Sequence, residues 1–119
     1  MQFAEHDHVI WFGDLNYRID LPNERVRTAT CDTYLPVHWQ LYSLIQAADW
    51  DALYAEDQLN KTREAKTAFH QFTEAPLLFA PTYKYDHGTT IYDTSKKKRQ
   101  PAWCDRVLWR KSSKIRPRA

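Results

Sequence analysis

The chain of 119 residues has few of the features that mark disordered, secreted or membrane-spanning proteins. It holds two glycines and one methionine, whereas five tryptophans and seven tyrosines are typical of a globular protein and not of a low-complexity segment. No apolar run approaches the roughly 20 residues that a membrane helix needs. We therefore expect one folded unit, with little room for a second domain.

Cysteine is also scarce. Cys31 and Cys104 lie far apart, and this spacing matches neither a disulfide framework nor a zinc site. Residues 1–8 carry acidic and imidazole side chains instead of the apolar stretch of a secretory signal. These features favour a reducing, intracellular setting, and we expect a cytoplasmic protein.

Acidic residues are nearly absent from the end of the chain, although the net charge is only +2. From residue 96 onward, Asp105 is the single acid. The cations there are Lys96, Lys97, Lys98, Arg99, Arg106, Arg110, Lys111, Lys114, Arg116 and Arg118. Such an excess predicts an anionic partner: phosphates, nucleic acid or an acidic membrane surface. For residues 111–118, a solvated basic tail is an equally good interpretation.

The pattern of apolar residues predicts strands and helices in one mixed α/β unit. We expect strands at 8–12, 76–79 and 102–109, with residues 82–85 extended and a turn at 86–88. We expect three helices. The first spans 38–48, the second begins at a cap, Asp49 or Asp51, and ends near residue 57, and the third spans 59–69.

A polar cluster follows the first predicted strand, as often happens at functional sites. Asp14 and Asn16 alternate along the chain, so both would point to one side of an extended segment. A carboxylate can orient or deprotonate a water molecule, and an amide can donate to a phosphoryl oxygen without adding charge. An Asp-Asn turn after a strand explains the same residues equally well.

Several segments, in the right order, resemble those of the inositol polyphosphate 5-phosphatases. Residues 11–18 and 101–109 resemble the two signature motifs of that family, and residues 81–86 and 92–95 resemble the stretch between them. Residues 6–10 and 21–23, before and after the first motif, are most similar to the synaptojanin-like branch.

This resemblance implies a fold and a reaction. The fold would be α/β, part of a two-sheet sandwich with outer helices of the DNase I and apurinic-endonuclease kind, and residues 1–119 would form an incomplete catalytic domain. The reaction would be magnesium-dependent hydrolysis of the 5-phosphate of phosphoinositides or inositol polyphosphates, by in-line attack of water. The resemblance also implies peripheral binding to anionic membranes, with no nucleic-acid partner.

The resemblance assigns roles to individual residues. Asp14 would be the general base, Asn16 a donor to the phosphate, and Asp105 the acceptor of a hydrogen bond from a catalytic histidine. The substrate-binding residues implied are Tyr83, Lys84, Lys97 and Arg99, which would hold the neighbouring 4-phosphate, with Arg18 and Arg106 beside them. For Arg18 and Arg106, a structural ion pair is an equal alternative.

Other elements of the family pattern match no position here. These are the catalytic histidine and the metal-binding glutamate and asparagine. We therefore expect the main ligands of Mg²⁺ to lie outside this chain, and the isolated chain to be inactive.

Three alternatives use the same residues differently. The Cys104–Arg110 segment fits the Cys-x5-Arg pattern of cysteine phosphatases, although its interior Val, Leu and Trp prefer a strand. A nuclease of the same superfamily could use Asp14, Asn16 and Asp105, but the cations near Tyr83 and Arg99 favour inositol phosphates. The chain could also bind phosphoinositides without turnover, or be an inactive truncated fragment.

Overall fold

The computed structural model describes residues 6–21, 26–27, 34–35, 37–97, 99–112 and 114–118, with side chains described outside residues 26–27, 34–35 and 37–40. Its fold class is α/β, as predicted. The elements, in chain order, are β1 (Ile10–Asp14), β2 (Val26–Arg27), β3 (Tyr34–Leu35), α1 (Val37–Gln46), α2 (Trp50–Ala55), α3 (Gln58–Glu64), β4 (Phe72–Thr73) and β5 (Asp105–Arg110). Cys31 and part of the 21–23 segment lie outside the described residues.

The main sheet joins the two segments that resemble signature motifs. β5 lies in the centre and pairs antiparallel with β1 on one side and β4 on the other. In the β1–β5 register, Ile10 lies opposite Trp109 and Asp14 opposite Asp105. Residues that are almost 100 positions apart in the chain therefore meet at one end of the sheet. β2 and β3 form a separate antiparallel pair.

α2 and α3 begin at acidic capping residues, which accept hydrogen bonds from otherwise unpaired backbone N–H groups. Asp49 accepts from the nitrogen of Ala52 at 3.2 Å, so the first of the two predicted caps of α2 is confirmed. Asp57 caps α3 through the nitrogen of Asn60 at 2.9 Å. The described helices include none that is long and apolar enough to cross a membrane.

Other boundaries differ from the prediction. β1 spans Ile10–Asp14, two residues later than the predicted 8–12, so Asp14 ends the strand instead of following it. α3 ends at Glu64, before the expected residue 69, because Lys66 and Phe69 have φ angles of 58° and 53°. These left-handed conformations cannot continue a helix. The predicted strand at 102–109 begins at Asp105, while Ala102 forms an isolated bridge with Tyr83.

The predicted strand at 76–79 is wrong. The structure has the short β4 at Phe72–Thr73 instead, and Leu78 and Phe79 lie 72% and 49% exposed beyond it. Proline has no N–H to donate to a sheet ladder, so Pro76 and Pro81 oppose a strand at this place. Part of this apolar run is therefore exposed at the surface.

The sheet has one covered and one open face. On the covered face Leu108 is fully buried and packs with Leu59 and Phe72, while a second cluster gathers Leu41 and Trp103 between the helices and the start of β5. On the other face Phe12 and Val107 lie opposite each other and are 72% and 55% exposed. One layer of a two-sheet sandwich has this character, because its apolar inner face needs a second layer.

Candidate active site at the Asp14–Asp105 end of the sheet

Two carboxylates lie side by side where β1 ends and β5 begins. Asp14 and Asp105 are opposite in the antiparallel register, so their side chains project to the same face, and both are exposed. Like charges at directly opposite positions oppose stability. A local arrangement that lowers stability is expected mainly where function requires it. The structure thus brings together the two predicted catalytic acids.

The chain turns sharply after β1 instead of staying extended. Asn16 has a φ of 59°, a left-handed conformation that asparagine tolerates, and its backbone nitrogen donates to Asp14 Oδ1 at 3.0 Å. Of the two interpretations of this segment, the Asp-Asn turn is therefore confirmed and the extended segment is not. The turn nevertheless holds Asn16 next to Asp14, because the carboxylate itself closes it.

Arg18 connects this turn to the predicted substrate segment. Its Nη2 donates to Asn16 Oδ1 at 2.5 Å, and its guanidinium carbon lies 4.3 Å from the centre of the Tyr83 ring. Its backbone nitrogen donates to Gln58 Oε1 at 3.0 Å. Because the carbonyl oxygen of the Asn16 side chain faces Arg18, the amide NH₂ is the end that remains for a ligand.

A cationic cleft of about 310 Å³ lies beside Arg18. Its lining residues are Arg18, Ile19, Tyr83, Arg99, Gln100 and Pro101. Two arginines and a tyrosine are among these residues, and within the described part of the chain no acidic residue lines the cleft. Three predicted substrate residues, Arg18, Tyr83 and Arg99, are therefore brought together. Lys84 and Lys97 are exposed and do not line the cleft.

Arg106 points away from this cleft. Its side chain is fully buried, and its Nε and Nη2 donate to the two oxygens of Glu74 at 2.6 and 2.7 Å. Its Nη1 donates to Asp57 Oδ1 at 2.8 Å and to the Trp103 carbonyl at 3.2 Å. This geometry fits the structural ion pair that the sequence left as an alternative. With its donors engaged in the interior, Arg106 does not belong with the substrate-binding side chains.

Sequence reasoning missed the partners of Arg106. Glu74 follows β4, and Asp57 was recognised only as lying near the end of α2. Their contacts with Arg106 span 32 and 49 positions along the chain, so no local pattern reveals them. The available signal was weak: an arginine at an inward position of an alternating strand must find buried acids.

A second residue that was missed is Asp93. Its Oδ1 accepts from the nitrogen of Ser95 at 2.9 Å, and its Oδ2 accepts from the nitrogen of Arg99 at 3.0 Å. These hydrogen bonds, those from Ser95 first, hold the pKa of Asp93 well below its ordinary value. Asp93 lies in the segment that resembles the 5-phosphatases, which was the signal available in the sequence.

The Cys-x5-Arg alternative is contradicted by the structure. Cys104 is 3% exposed, and burial raises the pKa of its thiol, which disfavours the nucleophilic thiolate. β5 is extended from Asp105 to Arg110, so cysteine and arginine lie roughly 20 Å apart at the usual rise per residue. The side chain of Arg110 donates to the carbonyl of His6. No phosphate-binding loop can form from this strand.

The basic tail lies partly against the sheet. Residues 115–118 line a second cleft, of about 410 Å³, together with Asp105, Trp109 and Phe79. This part of the tail therefore reaches the neighbourhood of Asp105 and is not simply a solvated extension.

The donors present do not make a metal site by themselves. Asp14 and Asp105 offer the carboxylate oxygens that Mg²⁺ prefers. However, the described residues contain no group of three or more His, Cys, Asp or Glu side chains placed to hold a metal ion. The two carboxylates alone do not fit the coordination that such an ion requires.

Known proteins resemble this chain over nearly its whole length. The sequence model of endonuclease/exonuclease/phosphatase family 2 matches residues 1–119. Synaptojanin-1 of Homo sapiens is 49% identical over 106 residues, which are 89% of this chain and 6% of that protein. The inositol polyphosphate 5-phosphatase domain of SPsynaptojanin, solved with inositol (1,4)-bisphosphate and a calcium ion, is 42% identical with a TM-score of 0.73, over 89% of this chain and 27% of that one.

A solved structure with a different ligand is also similar. Cimex nitrophorin, solved as a ferrous NO complex, is 30% identical with a TM-score of 0.68, over 94% of this chain and 35% of that one. The chain thus spans a small part of the relatives it matches. The resemblance to inositol polyphosphate 5-phosphatases and to their synaptojanin branch is confirmed.

Proposed function

Since this chain belongs to endonuclease/exonuclease/phosphatase family 2, we propose that it forms part of a domain that hydrolyses the 5-phosphate of phosphoinositides or inositol polyphosphates with the help of Mg²⁺. The observation that carries this proposal is the cleft lined by Arg18, Tyr83 and Arg99, which Arg18 links to the turn that follows Asp14. Cations for a phosphorylated ring thus lie next to acids suited to hydrolysis. An inositol bisphosphate was bound to a relative of similar structure.

The catalytic part of the proposal concerns Asp14 and Asn16. One oxygen of Asp14 is held by the Asn16 backbone, which leaves the other oxygen free to accept a proton from the attacking water. The NH₂ of Asn16 donates to a phosphoryl oxygen and stabilises the charge that builds up there. Arg18 fixes the orientation of that amide by occupying its carbonyl oxygen.

Asp105 has a supporting role in this proposal. It accepts a hydrogen bond from a histidine in another part of the complete domain, which fixes the tautomer of the imidazole and favours its charged form. The main ligands of Mg²⁺ would come from outside this chain, and the bound metal would supply Lewis-acid stabilisation of the phosphoryl oxygens.

Substrate binding divides into an inner and an outer set of cations. Arg18 and Arg99, with the hydroxyl of Tyr83, contact a ring phosphate in the cleft, since guanidinium groups bind phosphate with two parallel hydrogen bonds. Lys84 and Lys97, which are exposed, attract the substrate or an anionic membrane surface from outside. We accordingly propose a cytoplasmic protein that acts at the membrane periphery.

The test is release of phosphate from a 4,5-bisphosphorylated inositide in the presence of Mg²⁺. This chain is compared with the same chain extended at both ends, and single-stranded DNA serves as a control substrate. Chelator-sensitive release by the extended form, with the DNA left intact, is the expected result. Activity in neither form would sink the proposal, while cleavage of the DNA alone would favour a nuclease.

Binding without turnover is the second candidate function, because the cleft is assembled from this chain alone. Binding of this chain to vesicles that contain the bisphosphorylated lipid, with no phosphate released by the extended form, would favour it.

A further inference from the structure

A buried carboxylate organises the segment that precedes Arg99, and no role described above uses it. The side chain of Asp93 is 3% exposed, although it lies on a segment whose neighbours are largely at the surface. It accepts one backbone hydrogen bond at each oxygen, from Ser95 and from Arg99. A buried acid on a surface loop is expected to be fixed by such contacts, since burying an unpaired charge is costly.

Asp93 holds Arg99 at two points. The backbone nitrogen of Arg99 lies 3.0 Å from Asp93 Oδ2, and its Nη1 lies 3.4 Å from the same oxygen. The guanidinium has five N–H donors in all, so this contact leaves others for a ligand. Arg99 also lines the cationic cleft with Arg18 and Tyr83. The carboxylate therefore fixes both the start and the end of the side chain that reaches the cleft.

We propose that Asp93 is a positioning residue for substrate, which holds Arg99 at the cleft so that its free N–H groups meet the ring phosphate beside the one that is hydrolysed. This inference rests on the proposed function. Asp93 stays ionised at neutral pH, because its hydrogen bonds stabilise the charged form. It does not touch the substrate itself, and its effect is confined to the phosphate that Arg99 binds.

The same loop contains a matched control. Asp86 also uses both carboxylate oxygens within the loop, but it binds Thr94, through the backbone nitrogen at 3.1 Å and the hydroxyl at 2.6 Å. Asp86 has no contact with Arg99 among the interactions of the described residues. Asp93→Asn and Asp86→Asn thus remove one charge each from the same loop, and only the first affects Arg99.

The first part of the experiment uses the free chain. Hydrogen exchange of the Arg99 amide is measured by NMR in wild type and in both variants. We expect exchange to be about tenfold faster in Asp93→Asn, because the NH₂ of asparagine cannot accept and its one remaining oxygen is neutral and a weaker acceptor than a carboxylate, and unchanged in Asp86→Asn. An Arg99 amide that Asp93→Asn leaves protected would overturn the inference.

The second part measures binding by calorimetry with two probes, inositol 1,4-bisphosphate and inositol 1-phosphate. We expect Asp93→Asn to weaken binding of the bisphosphate about tenfold and to leave the monophosphate nearly unchanged. Asp86→Asn should alter neither. Equally weakened binding of both probes would show that Asp93 has only a structural role and would overturn the inference. A wild-type chain that binds neither probe would instead overturn the proposed function.

Discussion

Arg106, on β5, and the pair Arg18 and Arg99 differ in the surroundings of their charged side chains. Arg106 is enclosed, with the carboxylates of Glu74 and Asp57 at hydrogen-bond distance. Arg18 and Arg99 line an open cleft without acidic lining residues in the described part of the chain. The charge of Arg106 is thus balanced in the interior by two carboxylates, whereas Arg18 and Arg99, of which Arg99 is ion-paired with Asp93 at 3.4 Å, line the open cleft where we propose that the ligand binds.

Neutralisation in the buried group has a structural purpose. Asp57 caps α3 with one oxygen and binds Arg106 with the other, so one carboxylate joins the start of a helix to the central strand. The hydroxyl of Tyr54 donates to Glu74 at 3.2 Å and accepts from Arg63 at 3.1 Å. The network thus extends to α2, to α3 and to Glu74 beside β4. Arg106 therefore fixes the position of β5, and with it the position of the adjacent Asp105.

The largest effect is expected from Arg106→Met. This change leaves Glu74 and Asp57 as buried charges without their main partner, and breaking a buried ion pair costs about 3–5 kcal/mol. We expect the free energy of unfolding in urea to fall by that amount. A fall of less than about 1 kcal/mol, the range of a surface ion pair, would contradict the structural role of Arg106.

The matched control is Arg99→Met, the same substitution in the open group. The Arg99 side chain is 30% exposed, and its ion pair with Asp93 is longer, at 3.4 Å. We expect its unfolding free energy to stay within about 1 kcal/mol of wild type, as is usual for such pairs.

The second effect concerns binding. Arg18→Met removes a cleft cation, its stacking on Tyr83 and the bond that orients Asn16. We expect the affinity for inositol 1,4-bisphosphate to fall roughly thirtyfold, or about 2 kcal/mol, the range for a hydrogen bond to a charged group. Calorimetric titration measures it. Unchanged affinity in this variant would show that the open cleft does not bind the ring phosphates.

The sequence predicted the parts of this comparison that depend on local pattern or on the family resemblance. β1 and α1 follow from apolar periodicity, and the cap at Asp49 follows from residue type. The meeting of Asp14 with Asp105 was implied by the resemblance to a known active site. The resemblance could not separate Arg106 from Arg18, because that distinction depends on Glu74, which is distant in sequence and is brought close only by the pairing of β4 with β5.

The remaining errors have local physical causes. Pro76 and Pro81 prevent the apolar 76–79 segment from forming a strand, and the left-handed φ of Asn16 breaks the alternation that was expected after Asp14. A short apolar run and an alternating pair each allow more than one backbone path. Contacts outside the segment decide between them.

The fold alone does not fix the chemistry. A nitrophorin solved as a ferrous NO complex and a phosphatase domain solved with an inositol bisphosphate are both similar in structure to this chain. Function must therefore be argued from side chains at the site. The cationic cleft is the feature of this chain that favours a phosphorylated ligand.

A third prediction uses pH to distinguish Asp93 from other acids. Its folded pKa lies below the unfolded value, so its contribution to stability is complete above about pH 5 and is lost progressively as the pH falls from the unfolded pKa near 4 towards the lower folded pKa. In urea unfolding at pH 7 we expect Asp93→Asn to be less stable than wild type, with the difference shrinking towards pH 2. A constant difference across this range would contradict the assignment.

The smallest effect is expected for Lys97→Gln, which tests the outer boundary of the cleft. Lys97 is exposed and does not line the cleft, so we expect its charge to influence a phosphorylated ligand only through solvent. Charges of this kind contribute little and are screened by salt. We expect the affinity for inositol 1,4-bisphosphate to fall about twofold at low ionic strength. In 0.5 M salt, where the Debye length is roughly 4 Å, we expect the affinity of the variant to match that of wild type. A loss as large as that of Arg18→Met, persisting in salt, would place Lys97 in direct contact with the ligand and would extend the binding surface from the cleft to the exposed loop.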